Sequence, residues 1–298
     1  MRVSARVVGV VLAAVVGLGL TGCEPPNSYV ALGDSYTAGP GITPQDPGFP
    51  GCLRSDANFP NLIAPDLAKP AFRDVSCSGA QTKHMTEVQG VDPDPDNPPQ
   101  FTALDKNTEV VTLGIGGNDI GFSSIATTCG NEAVEHNFQG SPCKDYYAGR
   151  PEAEQPQSRI AALAPKLRAV LDGIDARSPR AKVFVVGYPA ILPENNALFL
   201  ACQPTLPVAE GDLPFLRDDV EKYLNAVIQY TTVGHGEVYV DTYTSSIGHD
   251  ACKAPGIRWV EPVVPAADAA PVHPNRLGME NTAEAVRVTM RANGVPVS

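Results

Sequence analysis

Positive charge is scarce in this chain: 22 Lys and Arg stand against 33 Asp and Glu among 298 residues, a formal net charge of −11. An acidic surface is repelled by phosphate backbones, so a nucleic-acid partner is disfavoured. Nor is there a polybasic patch to hold an anionic membrane surface. Long hydrophobic runs are also missing. The longest, Val7 to Leu20, is well short of the roughly 20 residues that a membrane-spanning helix needs. No CxxC pair and no paired-His spacing occurs, which argues against a zinc site, and the expected chemistry calls for no metal or other cofactor. A Pro/Gly/Ser-rich linker and internal repeats are absent as well, so a single domain is expected after the leader.

The leader itself is well marked. Arg2 and Arg6 precede the apolar run, as in an export signal. It ends in Leu20-Thr21-Gly22-Cys23 and lacks an A-x-A cleavage site. Those four residues resemble the bacterial lipobox, which implies cleavage before Cys23 and lipidation of its thiol. The expected organisation is therefore a signal peptide over 1–22, a short lipidated tether over 23–28 and one domain over 29–298. Losing Arg2 and Arg6 would make the net charge more negative by two. Membrane attachment would then rest on the Cys23 lipid alone, holding a monomer at the outer face of the cell membrane, with secretion as the alternative. Setting Cys23 aside leaves Cys52, Cys77, Cys129, Cys143, Cys202 and Cys252. An even number in an exported chain reads as a disulfide framework, although six cysteines allow about 15 pairings.

From Tyr29 onward, strand-like and helix-like patterns alternate. Strands are expected at Tyr29–Leu32, Phe72–Ser76, Glu109–Ile115, Lys182–Gly187 and Glu237–Thr242. The third and fourth are nearly continuous apolar runs, typical of parallel strands buried on both faces. Helical periodicity is clearest in Ile160–Ala176, Leu213–Thr231 and Asn275–Ala292. Long irregular stretches are expected at Gly90–Asp105, Phe122–Gln157, Tyr188–Gly211 and Tyr243–His273; loops of that length usually carry function. In the first of these, Asp92, Asp94 and Asp96 alternate like the start of a calcium loop. Asn97 and Ala103 stand where an EF-hand needs Gly and Glu, so a solvated loop is the better reading.

The run Val30-Ala31-Leu32 breaks at Gly33 and presents Ser35 at the carboxyl end of a strand, where open parallel sheets bind ligands. An isolated serine there is as readily a cap or turn residue. Three further blocks change that balance: CSGAQT with Gly79, GIGGND with Asn118, and PVHPN with His273. In this order the four blocks resemble the SGNH hydrolases, the GDSL family of esterases and lipases, with GDSY in place of GDSL. The likeness runs from about Tyr29 to Met290 and is strongest to the secreted lipases and esterases of Streptomyces and related actinobacteria.

That resemblance implies an α/β fold with three α/β/α layers and a five-stranded parallel sheet in the order 2-1-3-4-5. It implies Ser35 as nucleophile, activated by His273 as base. The Ser35 and Gly79 backbone N–H groups and the Asn118 amide would form the oxyanion hole. Strand positions and the same resemblance favour sequential disulfides: 52 with 77, 129 with 143, 202 with 252. Most family members place an aspartate three residues before the histidine, but position 270 is alanine. Asp268 could fill that role, yet Pro271 restrains it; a backbone carbonyl from Ala270 or a neighbour is preferred, giving a Ser–His dyad. Asp34 and Asp119 are expected to tie loops by accepting backbone N–H bonds. His84, His136, His235 and His249 are expected at the surface or in packing.

The implied activity is hydrolysis of carboxylic esters through an acyl-serine. A phospholipase A1, a carbohydrate acetylesterase and a non-catalytic lipid-binding lipoprotein are the alternatives. Leu198, Phe199, Leu200, Leu206, Phe215, Ile257, Trp259, Val260, Val263 and Val264 would either line an acyl pocket or form small cores beneath the loops.

Overall fold

In the first strand, β1 (Ser28–Gly33), every residue is buried, because apolar side chains alternate into two separate cores. Tyr29 and Ala31 enter one and Val30 and Leu32 the other. β1 pairs in parallel with β2 (Ala71–Asp74) and with β3 (Val110–Gly114), Tyr29 facing Val110 and Gly33 facing Gly114. β4 (Lys182–Val186) and β5 (Val238–Val240) complete the five-stranded parallel sheet in the order 2-1-3-4-5. The computed structural model describes residues 28–297 except 68–70, 92, 197–198, 200–201 and 204. The expected signal peptide, Cys23 lipidation and tether up to residue 27 lie outside the described residues, as do Asp92, Leu198 and Leu200, whereas Ser28, the last expected tether residue, belongs to β1.

The helices are α1 (Ser35–Ala38), α2 (Phe59–Ile63), α3 (Phe122–Glu135), α4 (Pro142–Ala148), α5 (Pro156–Ala161) and α6 (Leu163–Arg177), followed by α7 (Tyr223–His235), α8 (Tyr243–Ser246) and α9 (Arg276–Ala292). α2 and α9 cover one face of the sheet, with Met279, Ala283, Val286 and Met290 of α9 fully buried. α3, α6 and α7 share the core on the other face. None of the described helices is long and apolar enough to cross a membrane.

Three elements depart from the sequence expectation. Phe122–Gln157 is not irregular, since it contains α3 and α4. The Ser-, Thr- and Gly-rich composition of α3 hides its helical character, yet Ile125, Cys129 and Ala133 are buried at four-residue intervals, so packing overrides weak propensity. The single helix expected at Ile160–Ala176 is two, meeting at Ala162. Pro165 cannot donate to the carbonyl four residues back, which breaks the ladder there. The helix expected at Leu213–Thr231 begins as a π-helical segment, Phe215–Lys222, that runs into α7.

The structure contains the disulfides Cys52–Cys77, Cys129–Cys143 and Cys202–Cys252. The second staples α3 to α4. The first anchors the loop after β2 to the loop after α1.

Candidate active site

Three loops at the carboxyl edge of the sheet converge. β1 ends in Gly33, and Asp34 caps α1, its Oδ1 accepting from the Tyr36 N–H at 2.9 Å. Ser35 is the first residue of that helix. A Cβ on Gly33 would stand 2.2 Å from Thr37 Oγ1 and one on Gly114 2.6 Å from it. Only glycines at these two strand ends let α1 sit so close to the sheet.

His273 Nε2 lies 2.8 Å from Ser35 Oγ, and its Nδ1 lies 2.8 Å from the Pro271 carbonyl oxygen. A carbonyl can only accept, so Nδ1 carries the proton and Nε2 presents a lone pair to the serine hydroxyl. Desolvation holds the His273 pKa below its usual value, against the raising effect of the Pro271 carbonyl. The ring is thus neutral near pH 7. The orienting oxygen is that of Pro271, a neighbour of Ala270, whose own carbonyl accepts from the His273 backbone N–H at 3.2 Å. Asp268 is exposed, and no hydrogen bond among the described residues joins it to His273.

The histidine loop is held from several sides. Tyr36 Oη donates to the Val272 carbonyl at 2.6 Å, and the Val272 N–H donates to the Glu261 carbonyl at 3.0 Å. Val272 has φ +62°, a left-handed conformation costly for a β-branched residue and tolerated only where surroundings over-determine it. Beneath it the buried Glu261 carboxylate accepts from Arg258 at 2.6 and 3.2 Å and from Asn275 at 2.9 Å. Burial pushes the Glu261 pKa up, but these donors prevail and hold it below the ordinary value. Sequence reading assigned neither Arg258 nor Glu261 a role; their three-residue spacing in RWVE was the available signal.

The other two loops carry the expected donors. Gly79 has φ +79°, natural only for glycine. Among the described residues neither the Gly79 nor the Ser35 backbone N–H has an intramolecular partner. Gly79 is held near the site through its neighbours: the Cys77 N–H donates to the Gly33 carbonyl and the Ser78 N–H to the Cys52 carbonyl, both at 3.0 Å. Asn118 Nδ2 donates to the Ala80 carbonyl at 2.9 Å, which leaves its second amide hydrogen free. Asp119 accepts from the Thr82 N–H at 2.9 Å and hydroxyl at 2.5 Å, tying the Gly79 and Asn118 loops together. Asp34 Oδ2 accepts from Tyr188 Oη at 2.6 Å, and burial raises the Asp34 pKa to about 7.

A cavity of about 490 Å³ opens beside these groups, lined by Ser35, Asn118 and His273. Phe122, Ala126, Gly130 and Val134, one stripe of α3, form a wall, with Ile191, Leu224 and Val263 opposite in sequence. A smaller apolar cavity adjoins it, sharing Phe122, Ala126, Ile191, Val263 and Glu221. The expected residues divide between the two readings, with some exposed. Val263 lines the main cavity and Leu206 only the smaller one. Phe199, Phe215 and Val260 are core residues, whereas Ile257 and Val264 are exposed. Trp259 stacks on His249 at 3.7 Å. The α3 stripe was missed because that segment did not read as a helix.

The remaining histidines have local partners. His84 Nδ1 accepts from the Gln81 N–H at 3.0 Å and His136 Nδ1 donates to the Glu132 carbonyl at 2.9 Å. His249 Nδ1 donates to the Ile257 carbonyl at 2.6 Å. His235 Nε2 meets Asp172 Oδ1 at 3.0 Å. His235 also clusters with Asp175 and Glu237, ligand atoms within 4.8 Å of one another, at the opposite edge of the sheet from Ser35.

Residues 31–280 match the family described as GDSL-like lipase/acylhydrolase. The chain is 42% identical over 261 residues to a Streptomyces coelicolor protein named Lipase 2, covering 87% of this chain and 84% of that one. It is 29% identical to an esterase of Streptomyces scabiei, covering 85% and 81%. Among solved structures, an extracellular lipase from Streptomyces rimosus superposes with a TM-score of 0.69 at 28% identity, covering 88% of this chain and 99% of that one. A phospholipase A1 from Streptomyces albidoflavus gives 0.71 at 27%, covering 89% and 99%.

Proposed function

Because the chain belongs to the GDSL-like lipase/acylhydrolase family and is a carboxylic ester hydrolase, we propose that it cleaves acyl esters with Ser35 as nucleophile and His273 as general base. The single observation that carries this reading is the 2.8 Å contact between Ser35 Oγ and a His273 Nε2 left unprotonated by the Nδ1 bond to Pro271. Nε2 takes the hydroxyl proton as Oγ attacks the ester carbonyl. The oxyanion that forms is met by the free Ser35 and Gly79 N–H groups and the spare Asn118 amide hydrogen. Collapse breaks the bond to the alcohol oxygen, which leaves with the proton from Nε2. Water then attacks the acyl-serine, giving its proton to Nε2; the second collapse returns that proton to Ser35 and releases the carboxylic acid. The Pro271 carbonyl orients the ring but adds no full negative charge to stabilise imidazolium, so the machinery is a dyad.

The apolar α3 wall supports an acyl chain as the group bound. An acetyl group would leave most of a cavity of about 490 Å³ unfilled, which weighs against a carbohydrate acetylesterase. A phospholipase A1 stays as the second reading, supported by the superposition on that enzyme. We read the chain as exported, the Streptomyces rimosus relative being described as extracellular, and as a monomer. Residues 1–22 would be the signal peptide, Cys23 the lipidated first residue of a tether over 23–28, and 29–298 one catalytic domain. Mass spectrometry of the membrane-associated protein tests the lipid.

The test of activity is hydrolysis of p-nitrophenyl esters from acetate to palmitate by wild type, Ser35→Ala and His273→Ala. Turnover by wild type, with losses of about 10³-fold or more in both folded variants, is expected. Wild-type activity that survives Ser35→Ala overturns the assignment.

A further inference from the structure

Tyr188, in the residue pair after β4, touches both halves of the site without touching the reacting atoms. Its hydroxyl donates to Asp34 Oδ2 at 2.6 Å and accepts from the Gly117 N–H at 2.7 Å. Asp34 immediately precedes the nucleophile Ser35, and Gly117 immediately precedes Asn118. The phenol therefore spans from the nucleophile turn to the oxyanion loop. Gly117 is pressed against it: a Cβ there would stand 3.1 Å from Tyr188 Oη.

Tyr188 is itself held. Its backbone N–H donates to Asn225 Oδ1 at 2.8 Å, and its carbonyl accepts from Asn225 Nδ2 at 2.9 Å. Its ring packs edge-to-face on Tyr36, centroids 5.0 Å apart, and Tyr36 in turn carries the Val272 carbonyl. Asp34, Tyr188 and Asn225 are all buried, so losing these bonds leaves polar groups in a low-dielectric setting, where an unpaired group is costly. The phenol oxygen both accepts from Gly117 and donates to Asp34, a pairing that phenylalanine cannot make.

We propose that Tyr188 is a positioning residue of the oxyanion hole, its hydroxyl fixing Gly117 relative to Asp34 so that the Asn118 amide meets the tetrahedral intermediate formed at Ser35. The proposal rests on the ester-hydrolase reading and on Asn118 as a donor. It separates Asp34 and Tyr188 from plain core residues. Removing the hydroxyl leaves the Gly117 N–H and one Asp34 oxygen unpaired, and the Asn118 loop shifts to recover partners. A shift of a few tenths of an ångström weakens a donor aimed at the transition state and leaves substrate binding nearly unchanged.

The experiment compares wild type, Tyr188→Phe, Asn118→Ala and the double variant on p-nitrophenyl butyrate, with active sites counted by end-point labelling with a fluorophosphonate. Ser35→Ala serves as the blank. The expected result for Tyr188→Phe is a drop in kcat per labelled site of about 10- to 100-fold with KM within about twofold. In the Asn118→Ala background the same substitution should change kcat by less than about threefold, since both act through one donor. Equal losses in the two backgrounds, an unchanged kcat, or a loss explained wholly by fewer labelled sites would overturn it. Should Tyr188→Phe fail to fold, Asp34→Asn replaces it: the amide keeps the helix cap but is a weaker acceptor for the phenol. A loss of about fivefold with the same lack of additivity supports the proposal, and none overturns it. If wild type matches the Ser35→Ala blank, it is the ester-hydrolase reading that fails.

Discussion

Glu221 offers a test of the site's electrostatics that runs against intuition. It lies in the π-helical segment before α7, is buried, and lines both cavities. One oxygen accepts from the Ile191 N–H at 2.6 Å, while the other has no partner. Burial, aided by Glu194 and opposed by the Ile191 and Leu192 N–H groups and Lys222, raises its pKa from 4.5 to about 8. The acid is therefore neutral in the folded protein at pH 7 and ionised in the unfolded chain. The folded value lies above the unfolded one, so the stability it contributes is complete below pH 4.5 and is lost as pH rises to about 8. At about 1.4 kcal/mol per pH unit the full loss approaches about 5 kcal/mol, an upper bound because water and side-chain relaxation lessen it. Glutamine is isosteric with the neutral acid, keeps the oxygen that accepts from Ile191, and cannot ionise. Urea unfolding of wild type and Glu221→Gln at pH 5, 6.5, 8 and 9 measures the difference. Other titrating groups, Asp34 included, are common to both proteins and cancel. The two should agree within about 1 kcal/mol at pH 5, and the variant should be the more stable by about 2–5 kcal/mol at pH 9. Parallel stability curves across this range would refute a neutral Glu221. The consequence for function is that the buried Glu221 carboxyl lining both cavities carries no charge at neutral pH, compatible with an acyl chain.

Three further outcomes follow from the geometry. Asp268→Ala should retain kcat within about twofold on the same ester series, because the Pro271 carbonyl holds the ring; a loss of several orders in a folded protein would restore an aspartate to the mechanism. Asn118→Ala should fold normally and lose about 10²–10³ in kcat, checked by circular dichroism and steady-state kinetics. Replacing Cys52 and Cys77 together by alanine removes a bond across 25 residues, for which chain entropy gives about 3.5 kcal/mol. Denaturant unfolding should show most of that loss, and kcat should fall as well, since the bridge holds the Cys52 loop against the Cys77–Ser78 segment that carries Gly79.

Much of this fold was legible because local patterns and global architecture agree. Val30 to Leu32 is apolar without interruption and Val110 to Leu113 is broken only by the buried Thr112, because both strands are buried on both faces, and Gly33 and Gly114 mark where they stop. Ser35 and Asn118 stood out because each sits just beyond such a stop. α3 was not legible: its sequence is diluted by Ser, Thr and Gly, and its helical identity comes from neighbours that bury Ile125, Cys129 and Ala133. The break at Pro165 was readable, and the lack of a backbone donor there explains it. Tyr188 is 154 residues from the Asp34 it serves, and no local pattern can announce a partnership made by strand order. Arg258 and Glu261 were hidden for a related reason, since their pairing matters only through the loop they brace.

The orienting group of His273 belongs to the chain itself and to no side chain. Every amino acid brings a carbonyl, so no codon change at position 271 deletes this oxygen; what heritable change can reach is the path that aims it. Sensitivity to mutation should accordingly be displaced from position 271 to the residues that shape the loop. Gly41 is one, where a Cβ would stand 2.7 Å from the Ala270 nitrogen; Val272 and Glu261 are others. A saturation screen for a missing third catalytic residue would thus return a ring of supporting positions around an empty centre.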